Sequence, residues 1–206
     1  MKISYAIPVC NEHGELEELL TFLQDHRCKD DEIVILCDKG NTTQEVYDVI
    51  KSFDMNHYHI HENPLNKDFA QQKNYLSSKC TGDWIFLIDA DEKPTYYLLK
   101  SIPELIQSNP SIGAYWVPRI NTVTGLTQEH IDKWKWNVNE QGWVNFPDYQ
   151  MRLYKNDSNI RWVKPVHEQL TGFSKFANLP SQEEFCLLHP KHINRQEVQN
   201  KFYEGL

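Results

Sequence analysis

The sequence predicts an α/β protein, built on a mostly parallel central sheet flanked by helices. Three observations point to it. Short apolar runs alternate with segments of helical periodicity through the first half of the chain, the pattern of parallel strands joined by right-handed crossovers. The run Trp84-Ile85-Phe86-Leu87-Ile88 is continuously apolar, as strands buried on both faces are. It stops abruptly in three carboxylates, Asp89, Asp91 and Glu92, and the carboxyl ends of strands are where open α/β sheets collect ligands. Alone, an Asp-x-Asp also fits a solvated turn, so its context decides.

Ile3 to Val9 alternates and then runs apolar before Cys10, Asn11 and Glu12, a first strand feeding a loop and a helix. Leu16, Leu19, Leu20 and Leu23 recur at helical spacing behind an acidic first turn of Glu12, Glu15, Glu17 and Glu18, which suits the positive end of a helix dipole. Glu32 to Cys37 is a second apolar strand ending in Asp38, with a turn and cap in Lys39 to Thr42 and a helix carrying Val46, Val49 and Ile50. A third strand is expected near His57–His61, then a helix around Asp68–Lys79 carrying Phe69, Lys73, Asn74 and Leu76. The acidic-ended run is then the fourth strand.

Beyond it, a helix is expected around Thr95–Gln107, a strand over Ile112–Val123 and turn residues in Asn121–Thr127. Residues 128–147 combine Trp134, Trp136, Trp143 and Phe146 with Asn, Gln and Gly. So long an irregular aromatic stretch reads either as a functional loop or as tryptophans filling the core between the sheet and the C-terminal segments. Phe185 to Leu188 is strand-like and His189 follows it; Arg195–Tyr203 has the period of a short helix, with Val198, Phe202 and Tyr203 near one face.

A length of 206 residues suits a single domain, 1–206, with a sizeable core. The formal charge of −8 makes a sequence-independent grip on a nucleic-acid backbone a poor expectation. Cys10, Cys28, Cys37, Cys80 and Cys186 are an odd number without a CxxC pair, which reads as buried thiols in a reducing compartment. The chain enters a core strand almost at once, leaving no room for a cleaved signal, and no apolar run approaches the roughly 20 residues needed to cross a bilayer. A soluble, cytoplasmic protein with no transmembrane segment is expected.

Four segments, taken in order, carry a family resemblance: Ile7-Pro8-Val9-Cys10-Asn11-Glu12; Asp38 ending the second strand; Asp68-Phe69-Ala70-Gln71-Gln72-Lys73-Asn74; and Gly82-Asp83-Trp84 leading into Asp89-Ala90-Asp91-Glu92. Together they resemble a family 2 glycosyltransferase with the GT-A fold, strongly over 1–92 and moderately over 143–170. Arg152-Leu153-Tyr154 and Val166-His167-Glu168 are similar to the branch typified by lipopolysaccharide core glucosyltransferases, and the late pattern His189–Gln196 to small phage-encoded members. Cys10 replaces the commoner aromatic, and Lys73 stands where Arg is usual.

The resemblance implies a nucleotide-sugar-binding half, 1–110, and an acceptor-binding half, 111–206, where the aromatic stretch would stack on sugar rings or bases. A departing diphosphate needs its charge neutralised, which a bound divalent cation does. Asp91 is the expected ligand of Mn²⁺ or Mg²⁺, with Asp89 on the ribose or a metal-bound water, Ala90 between them, and His189 completing a site that then favours Mn²⁺. Asp38 would accept from the nucleobase; Pro8, Asn11 and Glu12 lie near the nucleoside; Lys73 approaches the base or phosphates; and Lys191, His192 and Arg195 are within reach of the diphosphate.

Inversion further requires a base for the acceptor hydroxyl. Glu168 is the first candidate and Asp148 the second; the alternative for either is a carboxylate neutralised by Arg152 or Arg161. The expected activity is metal-dependent, inverting transfer from a UDP-linked sugar to a hydroxyl of a glycan or of a modified DNA base, the latter disfavoured by the acidic charge. Two other readings stand beside it: a nucleotide-sugar or glycan binding module without turnover, and a nucleotidyltransferase. The first loop, Val9 to Gly14, is acidic and glycine-poor, unlike a triphosphate-binding loop. Donor sugar, acceptor and oligomeric state are open at this level.

Overall fold

A computed structural model of the chain describes residues 1–53 and 56–204; the side chains of Phe202, Tyr203 and Glu204 lie outside that description. The first half is four strands and three helices in alternation: β1 (Ile3–Val9), α1 (His13–His26), β2 (Glu32–Asp38), α2 (Gln44–Ser52), β3 (Tyr58–Asn63), α3 (Phe69–Ser77) and β4 (Trp84–Leu87). Then come β5 (Lys93–Pro94), α4 (Tyr96–Ser108), β6 (Ala114–Val117), β7 (Arg119–Thr124), α5 (Gln128–Trp134), β8 (Gln150–Lys155), β9 (Arg161–Val163), β10 (Gln169–Thr171), β11 (Phe176–Asn178), β12 (Leu187–His192) and α6 (Ile193–Glu204).

Among the described residues the main sheet has seven strands in the order β11-β6-β8-β4-β1-β2-β3. β8 runs antiparallel to both its neighbours, and the remaining pairings are parallel. β2 is buried at every position, as its unbroken apolar run requires. α1 lays Leu16, Leu19, Leu20 and Leu23 onto the sheet, together with Val46 and Ile50 of α2 and Leu98, Leu99 and Ile102 of α4. β1, β2 and β4 therefore end side by side along one edge of the sheet. Gly82, just before β4, is demanded by close packing: a Cβ there would meet Ser4 Oγ at 2.7 Å and Lys2 O at 2.9 Å.

Several expectations from the sequence are corrected. The strand anticipated over Ile112–Val123 is two strands in different sheets, because Pro118 has no N–H to continue the ladder; β7 instead joins β12 and β5. The stretch 128–147 is not wholly irregular: α5 occupies its first seven residues, closed by a capping box between Thr127 and His130. Its tryptophans sit outside the core, half-buried and packed on neighbouring rings, Trp134 on Trp136 at 4.7 Å and Trp143 on Phe146 at 4.7 Å. His189 lies within β12, whereas Glu183–Phe185 is a 3₁₀ turn. The N-cap position of the second helix is Thr43 rather than Thr42, with no capping bond from its side chain. The suggested face of Phe202 and Tyr203 on α6 falls on side chains outside the described residues.

At the opposite, amino-terminal edge of the sheet Glu32 is 1% exposed and accepts from Lys2 Nζ, Ser4 Oγ, Thr81 N and Thr81 Oγ1, each at 2.6 Å. Burial alone would raise its pKa, but hydrogen bonds from Lys2, Ser4 and Thr81 outweigh burial and bring it down to about 2. A depressed folded-state value stabilises above the unfolded value and is lost on acidification. The stabilisation, at most about 3 kcal/mol, should therefore disappear between about pH 4.5 and pH 2. Urea midpoints of the wild type and Glu32→Gln should differ at pH 7 and converge near the acid end; a gap independent of pH would contradict this origin.

Candidate active site at the carboxyl edge of the sheet

The turn after β4 is closed by Glu92. Its backbone N donates to Asp89 O at 2.8 Å, and its side chain accepts from Asp89 N at 3.1 Å. The same carboxylate, 1% exposed, accepts from Arg119 Nη1 at 2.7 Å and Arg152 Nη2 at 2.6 Å. Arg152 arrives there because β8 runs antiparallel to β4 with Leu153 opposite Phe86, which sets Arg152 beside the end of β4. It also pairs with Asp89. Burial opposes the Arg152 charge, but Asp89 and Glu92 outweigh it and hold the guanidinium well above its ordinary pKa. For Asp89 burial acts upward, but Arg152 and then Lys73 prevail and keep its carboxyl below the usual range.

Removing one partner from a buried network strands the others, so Arg152→Leu should lower unfolding free energy by about 3–5 kcal/mol. Urea denaturation checks this; a loss under about 1 kcal/mol would show that Arg119 alone neutralises the turn.

Asp91 points to the other side of the turn. Its Oδ2 lies 3.3 Å from His189 Nε2, 3.6 Å from Arg195 Nη2 and 3.7 Å from Lys191 Nζ. Burial would raise the Asp91 carboxyl, but the His189 hydrogen bond and the charges of His189, Lys191 and Arg195 hold it well below the usual carboxylate range. Arg195 also pairs with Glu12, at 3.0 Å, and Glu15, tying α6 to the loop after β1. In that loop Glu12 accepts the backbone N–H groups of Cys10 and Asn11 at 2.8 and 3.0 Å. Burial, then Glu12 and Asp38, push the Cys10 thiol up to about 11, which marks how close the ends of β1 and β2 lie.

The remaining residues singled out in the sequence fall as follows. Asp38, 8% exposed, already accepts from Leu65 N and Asn41 Nδ2, both at 2.9 Å. Pro8 lies within β1 opposite Leu36, Asn11 is exposed, and Ala90 is buried under the turn. Lys73, on α3, pairs with Glu168 ahead of β10, and its Nζ sits 4.6 Å over the Trp162 ring. Asp148 accepts from Arg119 Nε and Nη2 at 2.9 and 2.6 Å, from Asn121 at 2.9 Å and from Gln150 at 2.7 Å. Neither carboxylate is met by Arg152 or Arg161, the partners anticipated from sequence; Lys73 and Arg119 take those places. A cavity of about 290 Å³ opens beside Glu168 and Lys73, walled by Arg152, Trp116, Trp162 and Phe176.

The family profile described as Glycosyl transferase family 2 matches residues 4–171. The chain belongs to glycosyl transferase family 2. Its fold is similar to that of S. aureus TarS 1-349, with a TM-score of 0.65 at 13% identity, covering 92% of this chain and 60% of that one. TarS 1-349 solved in complex with UDP-GlcNAc gives 0.64 at 15% identity, over 93% and 59% of the two chains. The family 2 chain thus spans about 60% of the length of these solved structures. The likeness establishes the GT-A architecture. None of the curated proteins matches the sequence significantly.

For this family 2 chain the donor set at the acidic turn can be tested against a divalent cation. Asp91 and His189 present a carboxylate oxygen and an imidazole nitrogen 3.3 Å apart, a mixed pair that suits Mn²⁺. Asp89 is drawn to Arg152 instead, and among the described residues no three His, Cys, Asp or Glu side chains form a metal cluster. Such a partial protein shell fits a cation whose remaining positions are filled by substrate phosphates. Sequence reasoning named Glu92 in the acidic motif without giving it a role, and it missed Arg119 and Asn121 here. The signal was present: Arg119 and Asn121 alternate on one face of a strand that begins right after Pro118.

Proposed function

We propose that this family 2 chain transfers a sugar from a nucleoside diphosphate donor, UDP-linked, to a hydroxyl acceptor with inversion, using Mn²⁺ or Mg²⁺. The observation that carries the reading is the convergence of Asp91, His189, Lys191 and Arg195 at the carboxyl end of β4. The complex of TarS with UDP-GlcNAc supports a uridine donor. Asp38, Pro8, Asn11 and Glu12 border the nucleoside, while Ala90 and Asp89 face the ribose and diphosphate. A bound cation would lower the barrier by neutralising charge on the leaving diphosphate. Lys191 and Arg195 add positive charge on the same side, and Arg152 keeps Asp89 fixed.

Glu168 is the proposed base. The acceptor oxygen attacks the anomeric carbon, its proton passes to the Glu168 carboxylate, and the anomeric C–O bond breaks with its electron pair leaving on the diphosphate. The cavity beside Glu168 is the acceptor's place. Its aromatic walls suit a sugar ring, and its cations, Arg152 and Lys73, are already paired with carboxylates rather than free for a phosphate backbone, in keeping with the net charge of −8.

The test is a panel of nucleotide sugars incubated with the protein in Mn²⁺ and scored by release of free nucleotide, with and without chelator. One donor should be consumed, and chelator should stop it. Turnover that survives chelation would assign diphosphate neutralisation to Lys191 and Arg195 alone. Tight UDP binding with no donor consumed would instead identify a binding module, and pyrophosphate release from a nucleoside triphosphate would identify a nucleotidyltransferase.

A further inference from the structure

We propose that Asp148 acts through Asn121 to position the His189 imidazole, making Asp148 and Asn121 positioning residues for the cation site; this rests on the reading of Asp91 and His189 just given. Asn121 and His189 are register partners in the parallel β7–β12 pair, so their side chains emerge next to each other on one face. The Asn121 amide nitrogen lies 2.9 Å from Asp148 Oδ2. An ionised carboxylate only accepts, so this contact fixes which way the amide points: nitrogen toward Asp148, oxygen toward His189.

The Asn121 Oδ1 to His189 Nδ1 separation is 2.6 Å, and an amide oxygen cannot donate. The proton of that contact therefore sits on Nδ1. Nε2, which donates to Asp91 Oδ2 at 3.3 Å while no cation is bound, is then the nitrogen that gives up its proton and offers a lone pair when a cation arrives.

Asp148 is itself held. Two guanidinium nitrogens of Arg119 and the Gln150 amide fill its remaining acceptor positions. Burial would raise the Asp148 carboxyl, but Arg119 foremost, with Asn121 and Gln150, keeps it low, consistent with a permanent acceptor. The third nitrogen of Arg119 reaches Glu92, which closes the turn carrying Asp91. One arginine thus aligns both donors of the pair, one through Glu92 and the other through Asp148 and Asn121. A carboxylate so fully occupied is a poor proton acceptor for a substrate and a good anchor.

The experiment has two arms on the full chain. The first is Mn²⁺ affinity without donor, from the electron paramagnetic resonance signal of free Mn²⁺. The second is the ¹⁵N spectrum of His189 without metal, which reports whether each ring nitrogen bears a proton. Asn121→Leu, which cannot accept from Nδ1, should weaken Mn²⁺ binding about 10–100-fold and leave Nδ1 partly without its proton. Asn121→Asp keeps an acceptor for Nδ1 but cannot donate to Asp148, so it should hold the proton on Nδ1 while weakening Mn²⁺ binding less than Asn121→Leu does. Circular dichroism melting confirms that both variants fold. Equal affinity and an unchanged spectrum in Asn121→Leu would overturn the proposal, as would a wild-type Nδ1 that carries no proton. Absence of Mn²⁺ binding in the wild type would instead refute the cation reading, and the nitrogen spectrum would still decide the relay.

Discussion

Asp91→Asn should leave a folded chain whose donor turnover is down about 10³-fold, the equivalent of the several kcal/mol that a positioned cation contributes to a departing diphosphate. The substitution keeps the size of the side chain and removes its charge. His189, Lys191 and Arg195 would then face an amide, and Lys191, only 6% exposed, keeps its bond to Gln199 at 2.6 Å. Stability should fall by only about 1–2 kcal/mol, because Lys191 and Arg195 retain other partners. Steady-state release of nucleotide, with urea denaturation alongside, measures both quantities. Wild-type turnover in Asp91→Asn would mean that the acidic turn does not hold the cation. A turnover loss matched by unfolding would mean that Asp91 is a structural counter-ion to Lys191 and Arg195.

Glu168→Gln should lower kcat about 10³-fold while leaving donor KM near wild type, since general-base catalysis contributes typically 10²–10⁴-fold and the donor side is untouched. Lys73 loses its ion-pair partner but retains the face of Trp162, so the fold should survive. Asp148→Asn separates the two carboxylates considered for this role. It should weaken metal binding more than it slows the metal-saturated reaction. If instead Asp148→Asn abolished turnover at saturating Mn²⁺ and Glu168→Gln did not, the base would be Asp148.

What was legible in the sequence is what depends on neighbours along the chain. The period of Leu16, Leu19, Leu20 and Leu23 and the unbroken run before Asp89 specify a helix and a buried strand whatever surrounds them, and both are present. The crossover order followed from that alternation, and the family resemblance over the first half named the same architecture. What was not legible depends on partners far along the chain. Arg152 reaches Glu92 across 60 positions and Lys73 reaches Glu168 across 95, and no local pattern pairs them.

The second half of the chain shows the same division. Pro118 splits a single apolar stretch into strands of two sheets, because losing one backbone donor matters more there than strand propensity. His189 read as the residue after a strand because Pro190 and the polar residues beyond it do not look like one. They form a strand by pairing with β7, and that pairing brings His189 to Asn121.

A crystal of the full chain grown with UDP and Mn²⁺, measured at a wavelength where manganese scatters anomalously, places the cation directly. The expected result is one anomalous peak within bonding distance of Asp91 Oδ2 and His189 Nε2, shared with the diphosphate oxygens at the carboxyl end of β4. A diphosphate bound elsewhere on the chain, or one held there by Lys191 and Arg195 with no anomalous peak at Asp91, would contradict it.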